Sequence, residues 1–151
     1  AAAPEQGAAR VVHGDYGLHN CMLGPDGSVT AVLDWEIATL GDPLADFAYA
    51  VNGWGDPDDE VRISHESATT APGFARRQAL IDCYAELTGA DLSHIGFYRT
   101  FNYFKTACIL HGVYARYLEG KKSSEGIDLP ALKERMQAAV LLADQGALDL
   151  K

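Results

Sequence analysis

VVHGDYGLHNCMLGPDGSVTAVLDWEIATLGDPLAD, running from Val11 to Asp46, decides how this chain folds. Cys21-Met22-Leu23 reads as a strand, and Gly24-Pro25-Asp26-Gly27 is a dense turn signal, since each residue type suits backbone angles that a strand excludes. Val29 to Leu33 is a second apolar, β-branched run. Together they make a hairpin that delivers Asp34 at the end of its second strand. Val11 and Val12 are a β-branched pair just ahead of His13-Gly14-Asp15, and Asn20 lies five positions after Asp15. Chemical groups held in loops by rigid elements can be aimed accurately, so Asp15, Asn20 and Asp34 are the first candidates for a functional set.

Outward from this stretch the pattern turns helical. Asp42 is a natural N-cap with Pro43 at the first helical position, and Leu44, Phe47, Ala48 and Val51 follow at helical spacing up to Gly53. Residues 53–73 are polar and rich in breakers, which predicts a long mobile loop. A second helix is expected over Phe74–Leu87, with Gly89 as its stop, and a third from a Ser93 cap to about Leu118. Apolar residues cover much of the third helix (Ile95, Tyr98, Phe101, Phe104, Cys108), predicting a central buried helix. After a polar break at Lys121–Asp128, Pro130 opens a last helix to Gly146. The first ten residues are Ala-rich and read as a linker stub.

Bulk properties narrow the class. A length of 151 residues suits one domain with a sizeable core, and 48% hydrophobic with 22% charged residues argues against disorder. The formal net charge is -9, from 12 basic and 21 acidic residues, which disfavours a nucleic-acid partner and serves solubility. Three scattered cysteines (Cys21, Cys83, Cys108) fit reduced, buried thiols in a cytoplasmic protein. No apolar run reaches membrane-spanning length.

The three oxygen-bearing residues suit phosphoryl transfer, a reaction that asks a protein for positioning and charge neutralisation more than for covalent work. Asp15 would take the proton of an acceptor hydroxyl. Asn20 and Asp34 would hold magnesium, which needs one or two protein oxygens and takes the rest from water and phosphate. Singly, each has a plain structural role: Asp15 as a turn residue, Asn20 as a left-handed turn residue, Asp34 as a strand-end cap. In order, and at this spacing, they are specific.

HGDYGLHN resembles the catalytic loop of the aminoglycoside phosphotransferase family, relatives of the protein kinases with His-Gly-Asp in place of His-Arg-Asp. VLDWE stands where that family has its metal-binding strand end, and GDPLAD resembles its following helix. The wording LDWEIATLGDPLADFAY is similar to the kinase-like branch that accompanies acyl-CoA dehydrogenases and acts on hydroxyacyl substrates. The resemblance implies an α+β, mainly α fold: the C-terminal lobe of a protein-kinase-like fold, with a catalytic loop, a small β-hairpin and about four helices over residues 11–151. It implies ATP and Mg2+ as cofactors and a small-molecule hydroxyl as acceptor. Carried over by position, Asp15 is the general base, His13 orients the loop, Asn20 and Asp34 are the nucleotide-side magnesium ligands, Glu36 reaches a second metal or its waters, and Asp46 braces the catalytic loop, while Asp42 caps its helix.

The resemblance departs at the front, where 12 residues precede His13 and contain neither a Gly-rich loop nor a strand lysine. The nucleotide-clamping N-terminal lobe is absent from this sequence, so the isolated chain is expected to be inactive or weak and to self-associate or meet the missing lobe. A rival class is a non-catalytic, kinase-like binding or assembly module. A metal-dependent hydrolase using His13, His19 and Asp15 lacks a distant histidine pattern. His65, His94 and His111 read as surface residues. Asp56, Asp58, Asp59 and Glu60 read as a solvated acidic loop or an attractor of cationic substrates. Trp54, Tyr98, Phe101, Tyr103 and Phe104 are mostly core, with an acceptor pocket as the alternative, and Ser123 and Ser124 are plain surface.

Overall fold

The computed structural model describes residues 3–5, 7–64 and 67–150, so His65 and part of the lead-in lie outside the described residues. Strand β2 (Cys21–Leu23) pairs antiparallel with β3 (Val29–Val32), with Cys21 opposite Val32 and Met22 opposite Ala31. The turn between them is set by its own chemistry. Gly27 takes φ +80°, and Asp26 Oδ1 accepts from the Ser28 amide at 3.1 Å.

A second ladder was not legible from periodicity. β1 (Arg10–Val12) pairs antiparallel with β4 (Thr39–Gly41), Arg10 opposite Gly41 and Val12 opposite Thr39. β1 therefore begins at Arg10, the last residue of the expected lead-in. Three-residue strands carry too few side chains to show alternation, and their pairing is fixed by what lies between them.

Helix α1 (Pro43–Gly53) starts and stops as its sequence predicts. Asp42 Oδ1 accepts from the Leu44 amide at 2.9 Å, and Pro43 supplies the fixed φ of the first turn. Asp42 also ties α1 to α3 (Ile95–Leu118), because Tyr98 donates its hydroxyl to Asp42 Oδ2 at 2.6 Å. Burial and that carboxylate push the Tyr98 phenol up to about 12. Asn102 adds a second tie, donating to the Ala45 carbonyl at 2.8 Å. Ala48 and Val51 of α1 are fully buried beneath this contact.

Helix α2 (Arg77–Thr88) begins three residues later than expected, where the Arg77 amide donates to Asp56 Oδ1 at 2.9 Å, and ends on left-handed Gly89. Phe47 of α1 stacks on Tyr84 of α2 with ring centroids 3.8 Å apart. Ser93 does not cap α3; its amide donates to Asp91 Oδ1, and His94 precedes the first helical turn. Helix α4 (Leu129–Asp149) is capped by Asp128 and runs past Gly146. That glycine is where α4 presses on α3, since a Cβ there would collide with the Thr100 hydroxyl.

Two expectations about burial are corrected. α3 is covered along only part of its circumference. Tyr98, Asn102, Tyr103 and Ala107 are buried against α1 and α4, whereas Phe101 and Phe104 are 51% and 59% exposed. They open onto an apolar groove between α3 and α4 of about 820 Å³, also lined by Met136 and Val140. The core is correspondingly small, because three of its six buried apolar positions among the described residues are alanines, Ala48, Ala107 and Ala139. The thiols are free as expected, but Cys83 and Cys108 are exposed. Among the described residues, no helix is long and apolar enough to cross a membrane.

The connection after α1 is pinned. Trp54 donates its indole N–H to the Ala75 carbonyl at 2.9 Å. Arg77, mostly buried, donates to the Trp54 carbonyl at 2.8 Å, forks onto Asp59, and lies 3.6 Å from Asp56. Arg76 pairs with Asp58. The acidic residues of this loop therefore serve its own closure. Burial pushes the Asp59 carboxyl up, but the Arg77 hydrogen bonds and charge outweigh that and hold it below its ordinary value.

Removing one partner of a buried pair strands the other, so Arg77→Met is expected to lower the unfolding free energy by about 3 kcal/mol in urea at pH 7. The Asp59 contribution is fully present above the unfolded value of 3.8 and is lost as pH falls through the lower folded value. An Arg77→Met variant with wild-type stability and an unchanged acid transition would rule this pinning out.

Candidate active site

Gly14 sits in the first bend after β1 with φ +88°, a conformation that side chains strain to adopt. A Cβ there would also press within 3.2 Å of the Ile37 side chain and 3.3 Å of its carbonyl. This explains the glycine between His13 and Asp15. The bend is held from α1: Asp46 Oδ2 accepts from the His13 amide at 2.7 Å, and Oδ1 accepts from the Gly14 amide at 2.8 Å. Asp46 lies in the first turn of α1, where the helix dipole favours a carboxylate.

His13 is 2% exposed, and both its ring nitrogens are engaged. Nδ1 accepts from the Asp15 amide at 3.3 Å, which leaves Nε2 as the protonated nitrogen, donating to the Leu33 carbonyl at 2.6 Å. The Trp35 ring lies 4.8 Å from the His13 ring. The imidazole thus bolts the bend to the end of β3, one residue before Asp34, and has no nitrogen left for a metal.

Asn20 is 4% exposed. Its Nδ2 donates to the Asp15 carbonyl at 2.9 Å and to Asp15 Oδ2 at 3.3 Å. Both partners are acceptors, so the amide nitrogen must face them and Oδ1 faces away. The Asn20 carbonyl accepts from the Leu33 amide at 2.8 Å, extending the β2–β3 ladder by one rung. That rung sets Asn20 across from the residue before Asp34. Asp34 itself is exposed and takes φ 59°, ψ 50°, the one left-handed non-glycine among the described residues. No described donor engages its carboxylate. Glu36 is exposed in the single turn Trp35–Ile37 that follows and bonds to none of the other described candidates.

Around Asp15 the structure adds residues that motif reading did not single out. Tyr49 of α1 lies beside the Asp15 carboxylate, and His19, weighed above only as a metal ligand, stands with Nε2 3.4 Å from Asp15 Oδ2. Burial pushes the Asp15 carboxyl up, yet Tyr49, His19 and Asn20 together hold it below its ordinary value. Burial and the Asp15 carboxylate push the Tyr49 phenol up in turn, so it stays protonated. Lys105 of α3 donates to the Gly14 carbonyl at 3.3 Å. Signals for both existed. Tyr49 stands three residues after Asp46, on the same helical face, and Lys105 is the single charged residue between Arg99 and His111.

The site therefore presents an ionised carboxylate, an outward amide oxygen and an unengaged carboxylate across one ladder rung. Hard oxygen donors of this number fit magnesium, which leaves the remainder of its shell to water and phosphate. A zinc-type site fits less well, since His13 is used internally and no cluster of three His, Cys, Asp or Glu occurs among the described residues.

This fold, mostly helical with two small antiparallel ladders, matches part of a kinase-like phosphotransferase fold. Residues 1–82 match the phosphotransferase enzyme family, and the chain belongs to it. A Ralstonia eutropha protein, provisionally classed as an aminoglycoside phosphotransferase, superposes with a TM-score of 0.64 at 30% identity, over 87% of this chain and 42% of its own. The chain is also similar to acyl-CoA dehydrogenase family member 11 of Gallus gallus, at 35% identity over 128 residues, and to member 10 of Mus musculus, at 37% over 125. Those matches span 81% and 80% of this chain but only 16% and 12% of the relatives.

Asp46→Ala would orphan two backbone amides at once, and is expected to cost about 2–4 kcal/mol in urea denaturation. Asp46→Asn, which keeps one acceptor oxygen, should lose about half as much. Equal stability of the alanine variant and wild type would remove Asp46 as the brace.

Proposed function

We propose that this chain carries the catalytic segment of an ATP- and magnesium-dependent phosphotransferase that moves the γ-phosphoryl group to a hydroxyl of a small molecule. The observation that carries it is the Asp15–Asn20 contact, in which one amide orients the base through its nitrogen and leaves its oxygen for a cation. Asp15 orients the acceptor hydroxyl and takes its proton. A base with a low pKa suits this role, because the loose transition state of phosphoryl transfer needs little activation of the nucleophile. Asn20 Oδ1 and the Asp34 carboxylate are the groups that would hold magnesium, which when bound neutralises charge on the phosphates. His13 and Asp46 keep the bend rigid, and Glu36 stands by as an outer carboxylate. A nucleotide-clamping lobe in a longer parent would supply the remaining phosphate contacts. A purely binding module would have no use for a base held ionised beside an amide.

For the acceptor, a hydroxyacyl thioester is favoured over an aminoglycoside or amino-alcohol. The acyl-CoA dehydrogenase relatives support it, and Asp56, Asp58 and Asp59 are already committed to Arg76 and Arg77 rather than free to attract a cationic substrate. The exposed free thiols of Cys83 and Cys108 suit a reducing, cytoplasmic setting.

Mg-ATP titrated calorimetrically into the chain should bind weakly, and Asp34→Asn should abolish the heat. Identical isotherms for the two proteins would overturn the metal assignment. Where turnover is measurable, Asp15→Asn should lower it by at least a hundredfold. Because the Asp15 carboxyl lies below its ordinary value of 3.8, the base is ionised above that pH, so no loss of activity from its protonation is expected between pH 8 and 5. A rate that falls between pH 8 and 5 would overturn Asp15 as the base.

A further inference from the structure

We propose that Lys105 is a positioning residue for Asp15, acting from α3 on the peptide that leads into the base and on the face of the neighbouring Tyr49 ring. This rests on the phosphotransfer reading above and adds to it a residue 91 positions from the bend it touches.

The peptide between Gly14 and Asp15 is held at both ends. Its carbonyl, on Gly14, accepts from Lys105 Nζ at 3.3 Å, and its amide, on Asp15, donates to His13 Nδ1 at 3.3 Å. Fixing both ends of one peptide plane fixes the backbone approach to Asp15 Cα. The same ammonium lies 5.1 Å from the centroid of the Tyr49 ring, a cation–π distance that holds the ring by its face. Lys105 therefore touches the peptide before the base and the tyrosine beside it without pairing with the base itself. A lysine placed for structure alone would be expected to pair with a carboxylate or extend into water. This one is half-buried, and no described carboxylate lies within 4 Å of it. Burying an ammonium without a counter-ion is costly, so the carbonyl and ring that hold it do so against a desolvation penalty.

Other charged or titratable groups face the same pocket. His19 stands beside the Asp15 carboxylate on the loop, and Arg135 of α4 lies near enough to the Tyr49 phenol to favour its ionised form. Asp46 faces the bend from α1. Lys105 is distinguished from them by donating to the carbonyl of the peptide that enters Asp15.

The experiment is a carbon-detected NMR comparison of the Gly14 carbonyl and Asp15 amide resonances in the 151-residue chain, for wild type, Lys105→Met, Lys105→Arg and Tyr49→Phe. Urea unfolding of each variant shows that it is folded. A carbonyl that loses its donor shifts, so Lys105→Met should move the Gly14 carbonyl and the Asp15 amide bonded to it, and Lys105→Arg, which keeps a cationic donor, should restore both. Tyr49→Phe, which keeps the ring face, should leave them in place. Phosphoryl transfer, measured wherever turnover is detectable, should lose about tenfold in kcat in the Met variant with the nucleotide KM unchanged. A folded Lys105→Met protein whose Gly14 and Asp15 resonances match wild type overturns the proposal, whatever its activity. A Lys105-dependent shift beside an Asp15→Asn variant that keeps wild-type turnover leaves the contact standing and overturns Asp15 as the base instead.

Discussion

The Asp46 carboxylate, with one oxygen on the His13 amide and the other on the Gly14 amide, is the contact on which the rest of the site depends. A backbone bend with φ +88° has no ladder partner of its own, and its amides would otherwise point into a partly buried space. Asp46 satisfies both, and it can do so because α1 starts where it does. Asp42 caps the helix, Pro43 fixes its first turn, and Tyr98 anchors the cap to α3. A one-residue shift of that start would turn Asp46 about 100° around the helix axis and leave the bend unsupported. The Gly-Asp-Pro-x-x-Asp spacing is thus a length constraint between a cap and a brace.

Around Asp15 two physical effects oppose each other. Burial favours the neutral carboxyl, while Tyr49, His19 and Asn20 present donors and charge that favour the anion, and the donors win. The result is a base that is both shielded and ionised. The histidine two residues earlier has a structural task. Both its nitrogens are committed, and it serves as a rigid strut between the bend and the end of β3. Asp34, by contrast, is strained and unsatisfied: left-handed, exposed and without a described donor. A left-handed backbone at a non-glycine residue costs about 1–2 kcal/mol, which the turn closing β3 must offset.

Legibility in the sequence followed the range of the interactions. The β2–β3 hairpin, the Asp42 cap and the Gly89 stop were readable because each is decided within a few residues by turn or cap chemistry. The β1–β4 pair was not, because Thr39–Gly41 has no pattern of its own and is strand only by meeting Arg10–Val12. The aromatic ring of α3 misled for a different reason. Periodicity reports that many of its faces are apolar, not that each has a partner, and Phe101 and Phe104 turned out to face an open groove. Within the site, Asp15, Asn20 and Asp34 announced themselves by order. Tyr49 was marked only by its helical spacing from Asp46, and Lys105, from a helix far along the chain, was brought beside them by packing.

The β1–β4 ladder has a mechanical consequence. Residues 13–38 leave the body of the protein through β1 and return through β4, so the segment is a closed loop whose two ends are clasped side by side. His13 and Asn20 cross-link its interior. Such a segment has one hinge line rather than several, and it opens as a single cooperative unit when that clasp parts. Asp15, Asn20 and Asp34 accordingly lose and regain their mutual geometry together. Parting the clasp therefore disturbs the supports of all three side chains at once.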